Sequence, residues 1–138
     1  MKQCALPVKK DFVDIRKAPF HKKNANMAHC LDFALKEGTP IQSIASGKIL
    51  ATESIYRKIY RDPQFAARTN YVEVLHQDGT IGLYVHLAWR SIKVSRGQKV
   101  KRGQIIGLSG QTGYATYPHL HIGLYDKTGK NIPIQFAG

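Results

Sequence analysis

The sequence has few acidic residues, few cysteines and no long apolar run. Nine Asp and Glu residues stand against 21 Lys and Arg, so the 138-residue chain has a formal net charge of +12. Two cysteines, Cys4 and Cys30, exclude a disulfide-rich framework, and their spacing is unlike that of a zinc knuckle. No stretch approaches the ~18 consecutive apolar residues of a membrane-spanning helix. We therefore expect no transmembrane segment, and we expect both cysteines to be reduced thiols.

The composition favours one small β-rich domain. The hydrophobic fraction of 43% is enough for a core, and 12 Gly and six Pro spread along the chain indicate many turns. We expect residues 1–19 to form a basic lead-in and residues 20–138 to form the domain. The first seven residues contain Lys2 but no apolar segment of the signal-peptide kind.

The excess of positive charge indicates an anionic polymer as a partner. Nucleic acid, an anionic cell-wall polymer and an acidic lipid surface all fit this charge. Aromatic and basic residues alternate in residues 56–61, a pattern that could stack bases. No nucleic-acid-binding motif accompanies it, so we do not expect nucleic acid to be the partner.

Short apolar runs separated by turn residues predict several strands. Asp78-Gly79 is typical of a hairpin turn between two of them. Residues 52–69 form a long polar connection, in which a short helix over residues 53–60 is one candidate. The predicted strands cover residues 28–35, 41–45, 48–51, 71–76 and 81–87. Glycines placed before short apolar runs around residues 38–49 and 94–107 also indicate a weak internal duplication of a hairpin unit.

Pro118-His119-Leu120-His121 is the stretch with the clearest chemical meaning. Two histidines two positions apart on a strand point to the same face, so one can bind a metal while the other faces a reacting group. A bare His-x-His is a weak signal, because two packed histidines produce the same pattern. Asp32 strengthens it: a carboxylate within an apolar run costs several kcal/mol to bury unless it is paired or binds a metal.

A zinc site for catalysis needs about three protein ligands and one open position. The sequence has no His-Glu-x-x-His, so the ligands would come from strands and loops. The candidate donors are His21, His29, Asp32, His76, His86, His119 and His121.

Several linked segments resemble the lysostaphin/LytM-type zinc metallopeptidases, which cut peptides of bacterial peptidoglycan. They occur in the family's order and cover roughly residues 20–125. The matching segments are residues 31–34, 38–41, 84–87 (Tyr-Val-His-Leu), 94–107, 109–113 and 118–121 (Pro-His-Leu-His). The resemblance implies a mainly β, barrel-like antiparallel domain of the duplicated hybrid motif type with few short helices.

The resemblance also implies a site and an activity. One zinc ion per chain would be bound by His21, Asp32 and His121, with His86 and His119 as the catalytic histidines. The implied reaction is hydrolysis of peptidoglycan peptide bonds, in which a zinc-activated water attacks the scissile carbonyl. The implied location is extracytoplasmic, and we expect a monomer.

The first histidine ligand departs from the common family pattern. His-x-x-x-Asp would place it at Ala28. His29 lies three positions before Asp32, on the opposite face of a regular strand, and would need a β-bulge. We favour His21, with a longer spacing to Asp32, over His29. His76 is expected to be structural or exposed.

Three tyrosines are candidates to line a substrate groove. Tyr84 lies two residues before His86, which on a regular strand puts both on one face, and Tyr114 and Tyr117 precede His119. The alternative to an enzyme is a non-catalytic domain of the same fold that binds peptidoglycan or activates a partner hydrolase. A lipoyl- or biotin-carrier hairpin shares the valine and glycine spacing but needs a modified lysine in a turn, for which no site occurs.

Overall fold

The computed structural model describes residues 3–9, 15–16, 27–57, 59–60, 64, 68–114 and 117–137, with the backbone alone for residues 15, 16, 60 and 114. Most of the predicted lead-in lies outside these residues, so its boundary at residue 19 stays a prediction. Twelve strands follow one another: β1 Ile15–Arg16, β2 Leu31–Ala34, β3 Pro40–Gln42, β4 Gly47–Glu53, β5 Ile59–Tyr60, β6 Tyr71–His76, β7 Ile81–Val85, β8 Lys99–Val100, β9 Ile105–Leu108, β10 Gly113–Tyr114, β11 His119–Tyr125 and β12 Asn131–Ile132.

The strands form one large antiparallel sheet and two small ones. The large sheet has the order β1-β2-β11-β7-β6-β4-β8, and β12 pairs with β11. Strands β3 and β9 form an antiparallel pair, whereas β5 and β10 pair in parallel. The prediction of a mainly β domain with antiparallel sheets is confirmed.

The core lies between the large sheet and the β3–β9 pair. Side chains alternate along each strand, and every second one is buried in β6 and in β7. Register aligns these buried positions across neighbouring strands: Leu120 pairs with Phe33, and Tyr84 pairs with both Ile122 and Val72. The fully buried side chains include Phe33, Ile41, Val72, Tyr84, Ile106, Leu120 and Ile122.

The two repeated hairpin segments pair with one another. Strand β3 of the first segment pairs with β9 of the second, and β4 pairs with β8. Each segment therefore supplies strands to both sheets.

The helix considered for residues 53–60 is wrong, because β4 continues to Glu53 and β5 begins at Ile59. Residues 54–57 are irregular. The peptide N–H of Tyr56 donates to Oδ1 of Asn70 at 2.9 Å, and Nδ2 of Asn70 donates to the carbonyl of Tyr56 at 2.8 Å. These two bonds satisfy a backbone N–H and C=O that a helix would otherwise pair internally.

Both cysteines are buried thiols rather than a disulfide, as predicted. Burial raises the pKa of each thiol, Cys4 and Cys30, which keeps both protonated at neutral pH. Within the described residues, no helix is long and apolar enough to cross a membrane.

His76 is buried at the end of β6 and has a structural environment. Its Nδ1 lies 2.9 Å from the carbonyl of Ser46, while Nε2 has no hydrogen-bond partner among the described residues. A Cβ at Gly82 would lie 3.0 Å from that Nε2, so the glycine makes room for the ring. Burial lowers the pKa of His76, which keeps the imidazole neutral in the folded protein.

We expect the stability of the protein to fall as the pH drops below about 6.5, in part because of His76. In that range the unfolded chain binds a proton at His76 that the folded chain does not bind, so lower pH favours unfolding. His76→Asn keeps a donor for the Ser46 carbonyl and removes the titration. Urea unfolding between pH 5 and 8 should show a shallower loss of stability in the variant; equal slopes would contradict this role.

Candidate metal and acid–base site

The pairing of β2 with β11 brings Asp32 and His121 side by side. They are directly opposite each other in the register, and Oδ1 of Asp32 lies 3.2 Å from Nδ1 of His121. Both side chains are buried, with Asp32 only 2% exposed. A buried carboxylate needs opposite charge or hydrogen-bond donors around it, and the described structure surrounds this one with imidazoles and a phenol.

His119 and Tyr117 complete the surroundings of Asp32. His119 lies two residues before His121 on β11, opposite Ala34, and its Nε2 is 3.7 Å from Oδ1 of Asp32. The hydroxyl of Tyr117 donates to the other oxygen, Oδ2, at 3.4 Å. The Tyr117 ring also stacks on the His119 ring at a centroid distance of 4.5 Å. The same-face placement expected of the two histidines is therefore present in the structure.

His86 enters the site from the end of β7 through an unusual backbone conformation. The strand ends at Val85, and His86 has φ = 68°, a left-handed conformation that is rare outside glycine. Three hydrogen bonds fix it. Its N–H donates to Oγ1 of Thr69 at 3.2 Å, its Nδ1 lies 2.6 Å from the carbonyl of Thr112, and its own carbonyl accepts from Gly110 N–H at 2.9 Å.

Three polar residues behind His86 form a buried network that sequence reasoning missed. Oγ1 of Thr69 donates to the carbonyl of Thr112 at 3.1 Å, and Oγ1 of Thr112 donates to the carbonyl of Leu87 at 2.8 Å. Nδ2 of Asn70 donates to the same Leu87 carbonyl at 3.1 Å. These three bonds join residues that lie 17 to 43 positions apart in sequence. Only the polar Thr69-Asn70 pair directly before an apolar strand hinted at them.

The hydrogen bonds of His86 and His119 set their tautomers. Nδ1 of His86 faces the Thr112 carbonyl, and Nδ1 of His119 faces the Tyr117 carbonyl at 2.7 Å. Because a carbonyl only accepts, each Nδ1 has a proton, and the lone pair of the neutral ring is on Nε2. The centroids of the two rings lie 4.6 Å apart. Burial, followed by repulsion from the protonated form of His119, lowers the pKa of His86 to about 3, so His86 is a neutral imidazole at neutral pH, with the lone pair on Nε2.

The donor set fits a zinc ion at Asp32 and His121. Carboxylate oxygen and imidazole nitrogen are common zinc ligands, and two ligand atoms of a tetrahedral site with bonds of ~2.0–2.2 Å lie about 3.3–3.6 Å apart. The observed 3.2 Å between Oδ1 of Asp32 and Nδ1 of His121 is close to this value. No group of three His, Cys, Asp or Glu side chains suited to a metal is found among the described residues. A third protein ligand would therefore come from elsewhere in the chain.

Of the two candidates for the first zinc ligand, His21 and His29, the structure describes only His29. His21 lies outside the described residues and stays a prediction. His29 lies before β2 and is exposed, and its peptide N–H donates to Oδ1 of Asn131 at 2.7 Å. The exposed position of His29 contrasts with the buried cluster around Asp32.

The prediction that Tyr84 lines a groove is wrong. Tyr84 is fully buried in the core, its hydroxyl accepts from the N–H of Ile44 at 2.8 Å, and burial raises its pKa to about 12. The prediction assumed regular alternation from Tyr84 to His86, and the positive φ of His86 breaks that alternation. Tyr117 contacts Asp32 and His119 directly, whereas only the backbone of Tyr114 is described.

We expect Gly113→Ala to destabilise the protein more than Gly129→Ala. Both glycines have positive φ, 79° and 85°, which alanine adopts at a cost of roughly 1–2 kcal/mol. A Cβ at Gly113 would also lie 2.5 Å from Cβ of Thr69, whereas one at Gly129 would meet nothing within 4 Å. The contact should add roughly 1–3 kcal/mol of overpacking. Urea denaturation of both variants measures the difference, and equal losses would contradict the close approach behind His86.

Comparison with known proteins gives a consistent result. Residues 26–133 match Peptidase family M23, a match that begins after His21. The chain is 42% identical over 90 residues to the peptidoglycan DD-endopeptidase ShyA of Vibrio cholerae, covering 65% of this chain and 18% of ShyA. It is 41% identical over 100 residues to lysostaphin of Staphylococcus simulans, covering 71% of this chain and 18% of lysostaphin.

A solved structure of a zinc-containing peptidase from Vibrio cholerae has the same fold. It superposes with a TM-score of 0.71 at 29% identity and covers 95% of this chain and 39% of that one. The chain spans less than a quarter of the length of the curated relatives it matches. With most of its length matched by the family and its strands arranged as in a solved peptidase, this chain belongs to Peptidase family M23.

Proposed function

We propose that the chain is a zinc-dependent endopeptidase that hydrolyses peptide bonds of bacterial peptidoglycan. The proposal rests on one observation: a buried carboxylate and three imidazoles, from Asp32, His86, His119 and His121, lie together at the ends of β2, β7 and β11. Membership of Peptidase family M23 supports a metallopeptidase. The names of the ShyA and lysostaphin relatives support peptidoglycan as the substrate.

In this proposal Asp32 and His121 hold one zinc ion per chain, with His21 as the third ligand. When bound, zinc supplies a Lewis acid that lowers the pKa of water and polarises a carbonyl. Tyr117 orients the other oxygen of Asp32 through its hydroxyl. This hydrogen bond from Tyr117 keeps the carboxylate of Asp32 from rotating, as hydrogen-bond partners of metal ligands commonly do.

His86 and His119 are the proton-handling residues. In its neutral form each presents the lone pair of Nε2, because each Nδ1–H is held by a backbone carbonyl. A neutral imidazole of this kind accepts a proton from the nucleophile, and in the protonated form it donates a hydrogen bond to a developing oxyanion. The left-handed backbone of His86 directs its ring towards His119, and with the ring centroids 4.6 Å apart both imidazoles can act on one reacting group.

The substrate implies the place of action. Peptidoglycan lies outside the cytoplasmic membrane, so we propose that the chain acts there, and we propose that it acts as a monomer. The alternative is a non-catalytic domain of the same fold that binds peptidoglycan or activates a partner hydrolase. The metal content of the purified protein separates the two.

We expect about one zinc per chain in the wild type and none in His121→Ala, since that variant loses one of about three ligands. His21→Ala should also lose zinc, whereas His29→Ala should retain it because His29 is exposed. Elemental analysis of the four proteins, purified alike, makes the measurement.

Full zinc occupancy in His121→Ala would contradict the ligand assignment. Loss of zinc in His29→Ala alone would make His29 the first ligand. A wild type that stays free of zinc after the metal is added would favour the non-catalytic alternative.

We expect His119→Gln to keep zinc and to cut turnover of purified cross-linked peptidoglycan by about 10²–10⁴-fold, the usual contribution of a general acid–base group. His76→Asn is the matched control, because it replaces a buried histidine outside the cluster. Its turnover should equal that of the wild type. Normal turnover by His119→Gln with zinc bound would reject the acid–base role of His119.

A further inference from the structure

A tryptophan and two arginines form an exposed stack beside the site. The guanidinium carbon of Arg57 lies 3.9 Å from the centroid of the Trp89 ring, and that of Arg90 lies 4.6 Å from it. Trp89 is 37% exposed, and both arginines are exposed. We call these three residues the Arg–Trp–Arg stack.

The guanidinium groups of the stack have no acidic partner in the described part of the chain. No carboxylate there lies within ion-pair distance of either arginine. Stacking on an indole uses the flat face of a guanidinium and leaves its N–H donors pointing outward in the plane. Two such groups around one ring therefore present preorganised donors for an oxyanion.

The backbone holds the stack in place at a cost. Arg90 has φ = 53°, which costs roughly 1–2 kcal/mol for a residue other than glycine. Its N–H donates to the carbonyl of Ser54 at 3.0 Å, and Ser91 N–H donates to Ala88 C=O at 3.2 Å, closing the turn that contains Trp89. The strained turn directs both Arg90 and Trp89 towards the segment that contains Arg57.

The same turn connects the stack to the site. Trp89 follows His86 by three residues, so their Cα atoms are at most ~11 Å apart. Asn70 bonds to the carbonyl of Leu87 on one side and to both backbone groups of Tyr56 on the other. A polymer that occupies the site is therefore long enough to reach the stack.

We propose that the Arg–Trp–Arg stack is a second binding site, which takes an oxyanion of the anionic cell-wall polymer whose peptides occupy the site at His86. The identity of this polymer rests on the proposed function. Carboxylates of the peptidoglycan itself and phosphodiesters of polymers attached to it offer the same chemistry. Charge supports this occupant, because the chain has a net charge of +12 and the stack adds a fixed, geometrically defined contact to that general attraction.

Binding of the full chain to insoluble purified cell walls tests the proposal. The double variant Arg57→Gln/Arg90→Gln removes two charges from the stack, and Arg96→Gln/Lys101→Gln removes two exposed charges elsewhere. We expect the first to bind ~10-fold more weakly and the second less than about 2-fold more weakly, since only the first loses charge-assisted contacts. The slope of log affinity against log salt should become shallower by about 1–2 in the stack variant.

Arg57→Lys/Arg90→Lys keeps the charge and loses the planar donors, so it should bind between the wild type and the glutamine variant. Cell walls with and without attached phosphate polymers distinguish the two oxyanions: binding that survives phosphate removal assigns carboxylate, and binding that disappears assigns phosphodiester. Trp89 is the single tryptophan, so its fluorescence should change when soluble fragments of the assigned class are added.

Equal binding by the stack variant and its charge-matched control would overturn the proposal, as would tighter binding of the wild type to double-stranded DNA than to either wall preparation. Hydrolysis of a short cross-linked peptide without glycan or phosphate should be the same in wild type and stack variant. A wild type that binds walls through the stack but hydrolyses nothing would reject the proposed function and leave this site standing. A wild type that hydrolyses peptidoglycan but binds walls independently of the stack would reject this binding site and leave the proposed function standing.

Discussion

The buried carboxylate of Asp32 is the constraint around which the domain is arranged. A single buried carboxylate is unfavourable by several kcal/mol unless donors or a cation surround it. The register of β2 against β11 supplies His121 directly opposite, and the period of two along β11 brings His119 to the same face. A slip of one residue in that register would turn both imidazoles into the core and leave the carboxylate without them. The apolar rungs on the other face, such as Phe33 with Leu120, make such a slip costly.

His86 reaches the same place by a different route. Strand alternation alone would direct its ring into the core, where Tyr84 lies. A left-handed residue at the strand end reverses that direction, at a cost of order 1–3 kcal/mol that the surrounding structure must offset. The bonds from Thr69, Gly110 and Thr112 provide this support, and they come from two separate segments that converge only in the folded chain. The site therefore depends on rigid strands for Asp32 and His121 and on buried loop contacts for His86.

This division explains which parts of the site the sequence could predict. The shared face of His119 and His121 was predictable because a strand's period of two converts sequence spacing directly into a shared face. Asp32 was singled out as a carboxylate within an apolar run, and the order of motifs led to His86. Tyr84 was misplaced for a related reason: alternation was extended through His86, and no residue type marks a left-handed histidine in advance. Thr69, Asn70 and Thr112 were missed because their partners are 17 to 43 residues away, a separation at which local pattern holds no information. The strands at 71–76 and from residue 81 were predictable because the Asp-Gly turn specifies their hairpin, but the second strand ends at Val85 and not at Leu87 as predicted.

The charges that attract a polyanion and the groups that can carry out chemistry lie in different parts of the molecule. The cluster at Asp32 is buried and contains neutral imidazole, whereas the excess of lysine and arginine is mostly at the surface. Surface charge of this kind attracts any polyanion over about a Debye length and does not select one. Selection needs donors fixed in direction, and in the described part of the chain the Arg–Trp–Arg stack offers two guanidinium groups over one indole, with their carbons 3.9 and 4.6 Å from its centroid. Trp89 follows His86 by only three residues of a strained turn, so the position of the stack is coupled to that of the site. A change in the turn that moved Trp89 would also disturb the Leu87 carbonyl, which accepts hydrogen bonds from Asn70 and Thr112.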